Sequence, residues 1–157
     1  MKIIAIDPGY ERVGIAIVEK GKDGKEMMLF SECFKTSAKL ALSERLALIG
    51  MKIAETIQTY APERMAIESL FFTSNQKTAI AVAEARGVIL YEGARAGLRI
   101  HEYTPMQIKV AVTGHGKADK QQVMFMTEKL VSLVKKVTSD DEMDAIAIGL
   151  TCLACER

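Results

Sequence analysis

The sequence has no tryptophan, only three prolines and three cysteines, and no excess of charge of either sign: 21 Lys and Arg stand against 20 Asp and Glu. Each scarcity excludes a class of protein. Three cysteines (Cys33, Cys152, Cys155) cannot form a complete disulfide framework, and Met1 runs to Asp7 without the apolar stretch of a signal peptide. Both observations point to a reducing cytoplasm. No uncharged apolar run approaches the roughly 20 residues needed to cross a bilayer, which excludes membrane insertion. The net charge of +1 neither demands nor forbids a polyanionic partner, so the distribution of charge must decide. Cys152 and Cys155 make one C-x-x-C, half of a closed zinc site, and with no second pair they read as buried, inert thiols in a C-terminal helix.

What is present is an ordinary globular composition, 49% hydrophobic and 26% charged in 157 residues, which predicts a single domain over 1–157 with a sizeable core. Lys2 to Ile6 reads as a buried strand that Pro8-Gly9 breaks just after Asp7. A second strand over Val13 to Val18, a turn at Gly21 to Gly24 and a third strand over Met27 to Phe34 complete an antiparallel meander. Leu46, Ile49, Ile53, Ile57 and Tyr60 step at the helical period from about Ser43, and Ala61-Pro62 ends that helix.

Arg64 to Glu68 is then a short strand that finishes on an acid, and Asn75 to Ala96 a helix rich in small residues, suited to close packing against another helix. Leu98 to Tyr103 gives a fifth strand. Helices over Pro105 to Val112, Lys120 to Lys136 and Asp140 to Ala154 follow. The order predicts an α/β sandwich: a mixed five-stranded sheet covered by helices on both faces.

Acids fall at the ends of these elements. Asp7 ends the first strand, Glu68 ends the fourth, and Asp141 and Asp144 share one face at the start of the last helix. If the first and fourth strands are parallel neighbours, four carboxylates converge at one rim. Two unit charges about 4 Å apart repel by about 4 kcal/mol at an effective dielectric of 20, a cost that divalent cations remove. Oxygen-only ligands suit Mg²⁺ or Mn²⁺, and a pair of such ions is a common device for phosphodiester hydrolysis. Acids at a helix N-terminus also stabilise the macrodipole without any metal, which is the reading taken for Asp140 and Glu142. It explains neither Asp7 nor Glu68, because each follows a continuous apolar strand.

Between Pro105 and Lys136 lie six lysines (Lys109, Lys117, Lys120, Lys129, Lys135, Lys136) against Asp119 and Glu128, a local excess that fits a phosphate-contacting face. Lys129, Lys135 and Lys136 read as a solvated helix face. Lys109, Lys117 and Lys120 flank Gly114-His115-Gly116, where backbone amides could approach a phosphate. Phe71-Phe72 follows Glu68 in a polar loop: Phe71 could stack on an unpaired base, and Phe72 is expected in the core.

Ile6-Asp7-Pro8-Gly9, Ala66-Ile67-Glu68 with Phe71 and Asn75, Ala85-Arg86-Gly87, Gln107-Ile108-Lys109, Gly114 to Val123 and Asp141-Glu142-Met143-Asp144-Ala145 together resemble the RuvC family of Holliday junction resolvases. The match runs in order over nearly the whole chain. The resemblance implies a ribonuclease H-like fold and a homodimeric endonuclease that cuts four-way DNA junctions in paired symmetric nicks, leaving 5′-phosphate and 3′-hydroxyl ends. It implies that Asp7, Glu68, Asp141 and Asp144 bind two Mg²⁺ ions, for which Mn²⁺ can substitute, and that Lys120 acts in catalysis. Phe71, Lys109, Lys117, Lys120 and Arg86 are the implied DNA contacts, and a branch-migration helicase the implied partner.

Asp140 would pair with Met143 in place of an acid, so it matches the pattern less well than Asp141. The final turn carries Cys152-Leu153-Ala154-Cys155 where many members have a histidine. Alternative readings are a ribonuclease H-like nuclease acting on structured RNA, suggested by Asp7-x-Gly9 with Arg12-x-Gly14, an ATPase lobe of the actin and sugar-kinase type, and a non-catalytic junction-binding module.

Overall fold

The computed structural model describes residues 1–21, 24–69 and 76–156. Strands β1 (Lys2–Asp7), β2 (Arg12–Lys20) and β3 (Glu26–Lys35) form the expected meander. Helix α1 (Leu42–Tyr60) leads into β4 (Arg64–Glu68), and α2 (Gln76–Arg95) into β5 (Arg99–Tyr103). Helices α3 (Pro105–Thr113) and α4 (Lys120–Leu130), strand β6 (Val131–Leu133) and α5 (Asp140–Cys155) follow.

Local chemistry accounts for the boundaries. Glu44 reaches back to the Ala41 amide at the start of α1, and Ala61 closes that helix in the left-handed region at φ 46°. Thr104 with Gln107 and Asp119 with Gln122 form capping boxes that start α3 and α4, and Gly114 at φ 75° ends α3.

Among the described residues the sheet runs β5-β4-β1-β2-β3-β6, six strands and not the expected five. The helix expected to reach Lys136 stops at Leu130, and Val131–Leu133 pairs in parallel with Glu26–Met28 of β3. The backbone of an edge strand offers unpaired donors and acceptors, and β3 gains a ladder here that a longer α4 would deny it. β1 and β4 are parallel neighbours with Ile6 opposite Ile67, so Asp7 and Glu68 leave adjacent strands one step further on.

Side chains alternate between two cores. Ile4, Ile6, Val13, Ile15 and Ile17 pack beneath α1 and α2, against Ile49, Ile53, Ala85 and Ile89. Ile3, Ala5, Ala16, Val18 and Ala66 face α5, with Ile108, Val112 and Val123 of α3 and α4 beside it. Small residues on that second face let α5 lie close: a Cβ on Gly149 would sit 2.5 Å from Val18 and 3.1 Å from Ala5. Cys152 is buried there as expected, whereas Cys155, in the last turn of α5, is exposed. Among the described residues no helix is long and apolar enough to cross a membrane.

Candidate active site

The strand period of two dictates which side chains meet α5. Asp7 shares the parity of Ile3 and Ala5, and Glu68 that of Ala66, so both point toward α5 at the rim of the sheet. Across the sheet Asp7 pairs with Gly14 and Gly14 with Cys33, a row that has a gap at its centre. The first turn of α5 enters that gap. A Cβ on Gly14 would lie 2.0 Å from the carbonyl oxygen of Asp141 and 3.1 Å from the Asp7 Cβ. Only glycine at this position lets the helix bring Asp141 and Asp144 over the end of β1.

The four expected carboxylates therefore gather at one rim, and their electrostatics show it. Burial, then the charges of Asp144, Glu68 and Asp141, push the Asp7 carboxyl up to about 8 despite relief from Lys120. Burial and the charge of Asp144 raise Glu68. Asp144 is raised as well: burial, with Asp140 and Asp141, outweighs the hydrogen bond and attraction of Lys120. Asp141 goes the other way, because hydrogen bonds from Cys33, Arg12 and Ser139 more than offset its burial.

Two cations hold the rim of this cluster. Lys120, the first residue of α4, places its Nζ 3.2 Å from both Asp140 Oδ2 and Asp144 Oδ2. Burial alone would lower the Lys120 pKa, but these partners raise it, so it stays an ammonium. The Arg12 guanidinium pairs with Asp141 Oδ2, which also accepts from Ser139 Oγ at 3.1 Å and lies 3.3 Å from Cys33 Sγ. Asp141 and Asp144 are engaged by these cations, and no three Asp, Glu, His or Cys side chains among the described residues are closed to ligating distance. Asp140, expected only to support the helix dipole, is in addition an ion-pair partner of Lys120.

The other expected contacts are placed as follows. Lys109 lies half-buried on α3, and Lys117 and His115 are exposed between α3 and α4. Arg86 is largely committed within the fold: it donates to the Glu68 carbonyl at 3.3 Å and pairs with Glu102, tying α2 to the strand end from which Glu68 emerges. Phe71 and Phe72 lie outside the described residues.

Sequence reasoning passed over Arg12, Cys33 and Ser139, whose partner Asp141 is more than 100 positions away from the first two. It also took Glu142 for a dipole-stabilising acid and Lys135 for a base on a solvated helix face. Glu142 is buried, accepts from Ser31 Oγ at 2.5 Å, and pairs with Lys135 at 2.7 Å. The parity of β2 and β3 was the available signal, since Arg12, Gly14, Ser31 and Cys33 all face the side that α5 covers.

Known proteins share this chain's sequence pattern and fold. The family model for crossover junction endodeoxyribonuclease RuvC matches residues 3–152. The crossover junction endodeoxyribonuclease RuvC of Moorella thermoacetica is 45% identical over 150 residues, covering 96% of this chain and 89% of its own. That of Halothermothrix orenii is 43% identical, with 96% and 90% covered. The structure of Thermus thermophilus RuvC in complex with Holliday junction substrate superposes with a TM-score of 0.90 at 34% identity, over 98% of this chain and 93% of that one. The fold is accordingly the ribonuclease H-like one, and the chain belongs to the RuvC family of crossover junction endodeoxyribonucleases.

Proposed function

We propose that this protein is a metal-dependent endodeoxyribonuclease that resolves four-way DNA junctions by paired symmetric nicks, leaving 5′-phosphate and 3′-hydroxyl ends. One observation carries the reading: four carboxylates from β1, β4 and α5 share one rim, where burial and then the charges of Asp144, Glu68 and Asp141 push Asp7 up to about 8. Such repulsion costs the fold stability, and cations ease it. All the donors are hard carboxylate oxygens, so Asp7, Glu68, Asp141 and Asp144 fit Mg²⁺, with Mn²⁺ as substitute, and four of them suffice for two ions. Divalent cations bound there supply charge neutralisation and a more acidic water for attack on phosphorus.

The chain's own residues do the rest. Lys120 stays charged beside Asp144 and meets negative charge that develops on the phosphate. Lys109 and Lys117 hold the strand, and Phe71 stacks on a base near the crossover. The Arg86 guanidinium, already engaged with Glu68 and Glu102, acts chiefly by positioning Glu68 while keeping donors for DNA.

A four-way junction has approximate two-fold symmetry, so an isologous homodimer presents two sites related by the substrate's own axis. Exposed Ile80 and Tyr91 on α2 with Met51 on α1 support that interface. Free thiols suit the cytoplasm, and a branch-migration helicase is the partner that would deliver junctions.

The test is incubation with mobile and immobile synthetic junctions, with and without Mg²⁺, mapping nicks on all four strands. Paired nicks at symmetric positions, dependent on the cation, are expected. Cleavage of a structured RNA in preference to the junction, or binding without any nick, would replace this reading with the corresponding alternative. Light scattering that finds only monomer at micromolar concentration would remove the dimer.

A further inference from the structure

Beside the acid cluster, on the side of β3, lies a polar cleft of about 420 Å³ lined by Arg12, Lys35, Lys135, Thr138 and Ser139, with Glu32 and Glu142 at its walls and no residue of α3 or α4 in its lining. Its charges are arranged against the fold's own interest. Arg12 and Lys35 are direct cross-strand partners on the α5 face, a placement that puts two like charges side by side. Lys35 is exposed and forms no ion pair among the described residues. The two acids are already taken: Glu142 by Ser31 and Lys135, Glu32 by Lys52 at 2.6 Å. What remains unneutralised at the mouth is cationic.

We propose that this cleft is a backbone-phosphate subsite for the strand being cut, distinct from the lysines of α3 and α4. It rests on the nuclease reading and extends it. Lys120 approaches the acids at Asp140 and Asp144, whereas Arg12 approaches them at Asp141. A strand crossing the carboxylates would thus have one basic flank on each side, with one phosphodiester over the acids and a neighbouring one in the cleft. Arg12 is the link: its five donors let it keep Asp141 and still reach a phosphate oxygen. The Lys35 ammonium closes on the phosphate from the adjacent strand, Lys135 keeps donors beyond its bond to Glu142, and the Thr138 hydroxyl completes a donor set for an anion, since the Ser139 hydroxyl is spent on Asp141.

The test is binding, in EDTA so that no strand is cut, of a four-way junction and of a duplex of equal length across a salt series. Wild type is compared with K35M, K35R and K39M, the last an exposed lysine outside the cleft that removes the same charge. Loss of one phosphate contact lowers the slope of log K against log salt by roughly 0.9 and weakens binding about three- to ten-fold at moderate salt. K35M is expected to show that loss, K35R to retain the wild-type slope and K39M to leave it unchanged. K35M should melt no lower than wild type, because it also removes the like-charge pair with Arg12. Equal slopes for K35M and K39M overturn the subsite, as does a protein that binds neither DNA. A wild type that binds both DNAs alike counts against junction selectivity, while the K35M slope on either DNA still decides the cleft.

Discussion

Asp7→Asn removes one charge from the carboxylate cluster at almost constant volume, and its effect on stability has a definite sign. Burial and three neighbouring acids raise the Asp7 carboxyl from an ordinary 3.8 to about 8. A carboxyl raised in the fold binds a proton that the unfolded chain has already released. The stability this provides is present in full below about 3.8 and lost as pH rises through about 8. Each pH unit inside that window costs the metal-free wild type up to about 1.4 kcal/mol, with a ceiling of about 6 kcal/mol once Asp7 is ionised. Asn at this position carries no such dependence. D7N should therefore gain on wild type by up to about 1.4 kcal/mol per unit between pH 5 and 8, roughly 3 to 6 °C per unit in Tm. Thermal melts of both proteins in EDTA across that range measure it. Saturating Mg²⁺ should then stabilise wild type at pH 8 far more than D7N, and D7N should bind junctions without nicking them. A gap between the two proteins that stays constant with pH would refute the raised Asp7 carboxyl.

Gly14→Ala places a methyl group 2.0 Å from the Asp141 carbonyl, so α5 must lift; a loss of about 1 to 3 kcal/mol in stability and of most nicking is expected, and a G14A protein active at the wild-type rate would contradict the close approach. Lys120→Met strips Asp144 and Asp140 of their cation and should lower single-turnover nicking about 10²-fold with a much smaller effect on junction affinity; unchanged nicking would remove Lys120 from the site. Ser31→Ala deletes a hydrogen bond to the buried Glu142 carboxyl and should cost about 2 kcal/mol, or about 4 to 8 °C in Tm, read by thermal melting at pH 7.

Much of this site could be read from the chain because strands and helices impose short periods. An acid that ends an apolar strand, as Asp7 and Glu68 do, has nowhere to go but the rim, and acids three apart on a helix share a face. Those rules are local. What escaped them depends on register between distant segments: Arg12 opposite Lys35 follows from the β2–β3 pairing, and Ser31 bonds Glu142 across 111 positions. The gap at Gly14 is equally invisible until α5 is laid over the sheet. β6 was missed for a different reason. A strand of three residues contains too few side chains to show a period, so the apolar positions beyond Leu130 read as a continuation of α4, and only the unpaired edge of β3 decides otherwise.

The dependence of the acid cluster on α5 also sets when the cluster can form during synthesis of the chain. Every strand precedes this helix in the chain, so a nascent polypeptide still on the ribosome before residue 140 carries Asp7 and Glu68 but neither Asp141 nor Asp144. The same helix closes the apolar face of β1 and β2, which makes sealing of the interior and completion of the acid cluster a single event. A chain that lacks this lid thus also lacks two of the four acids proposed to hold the metal.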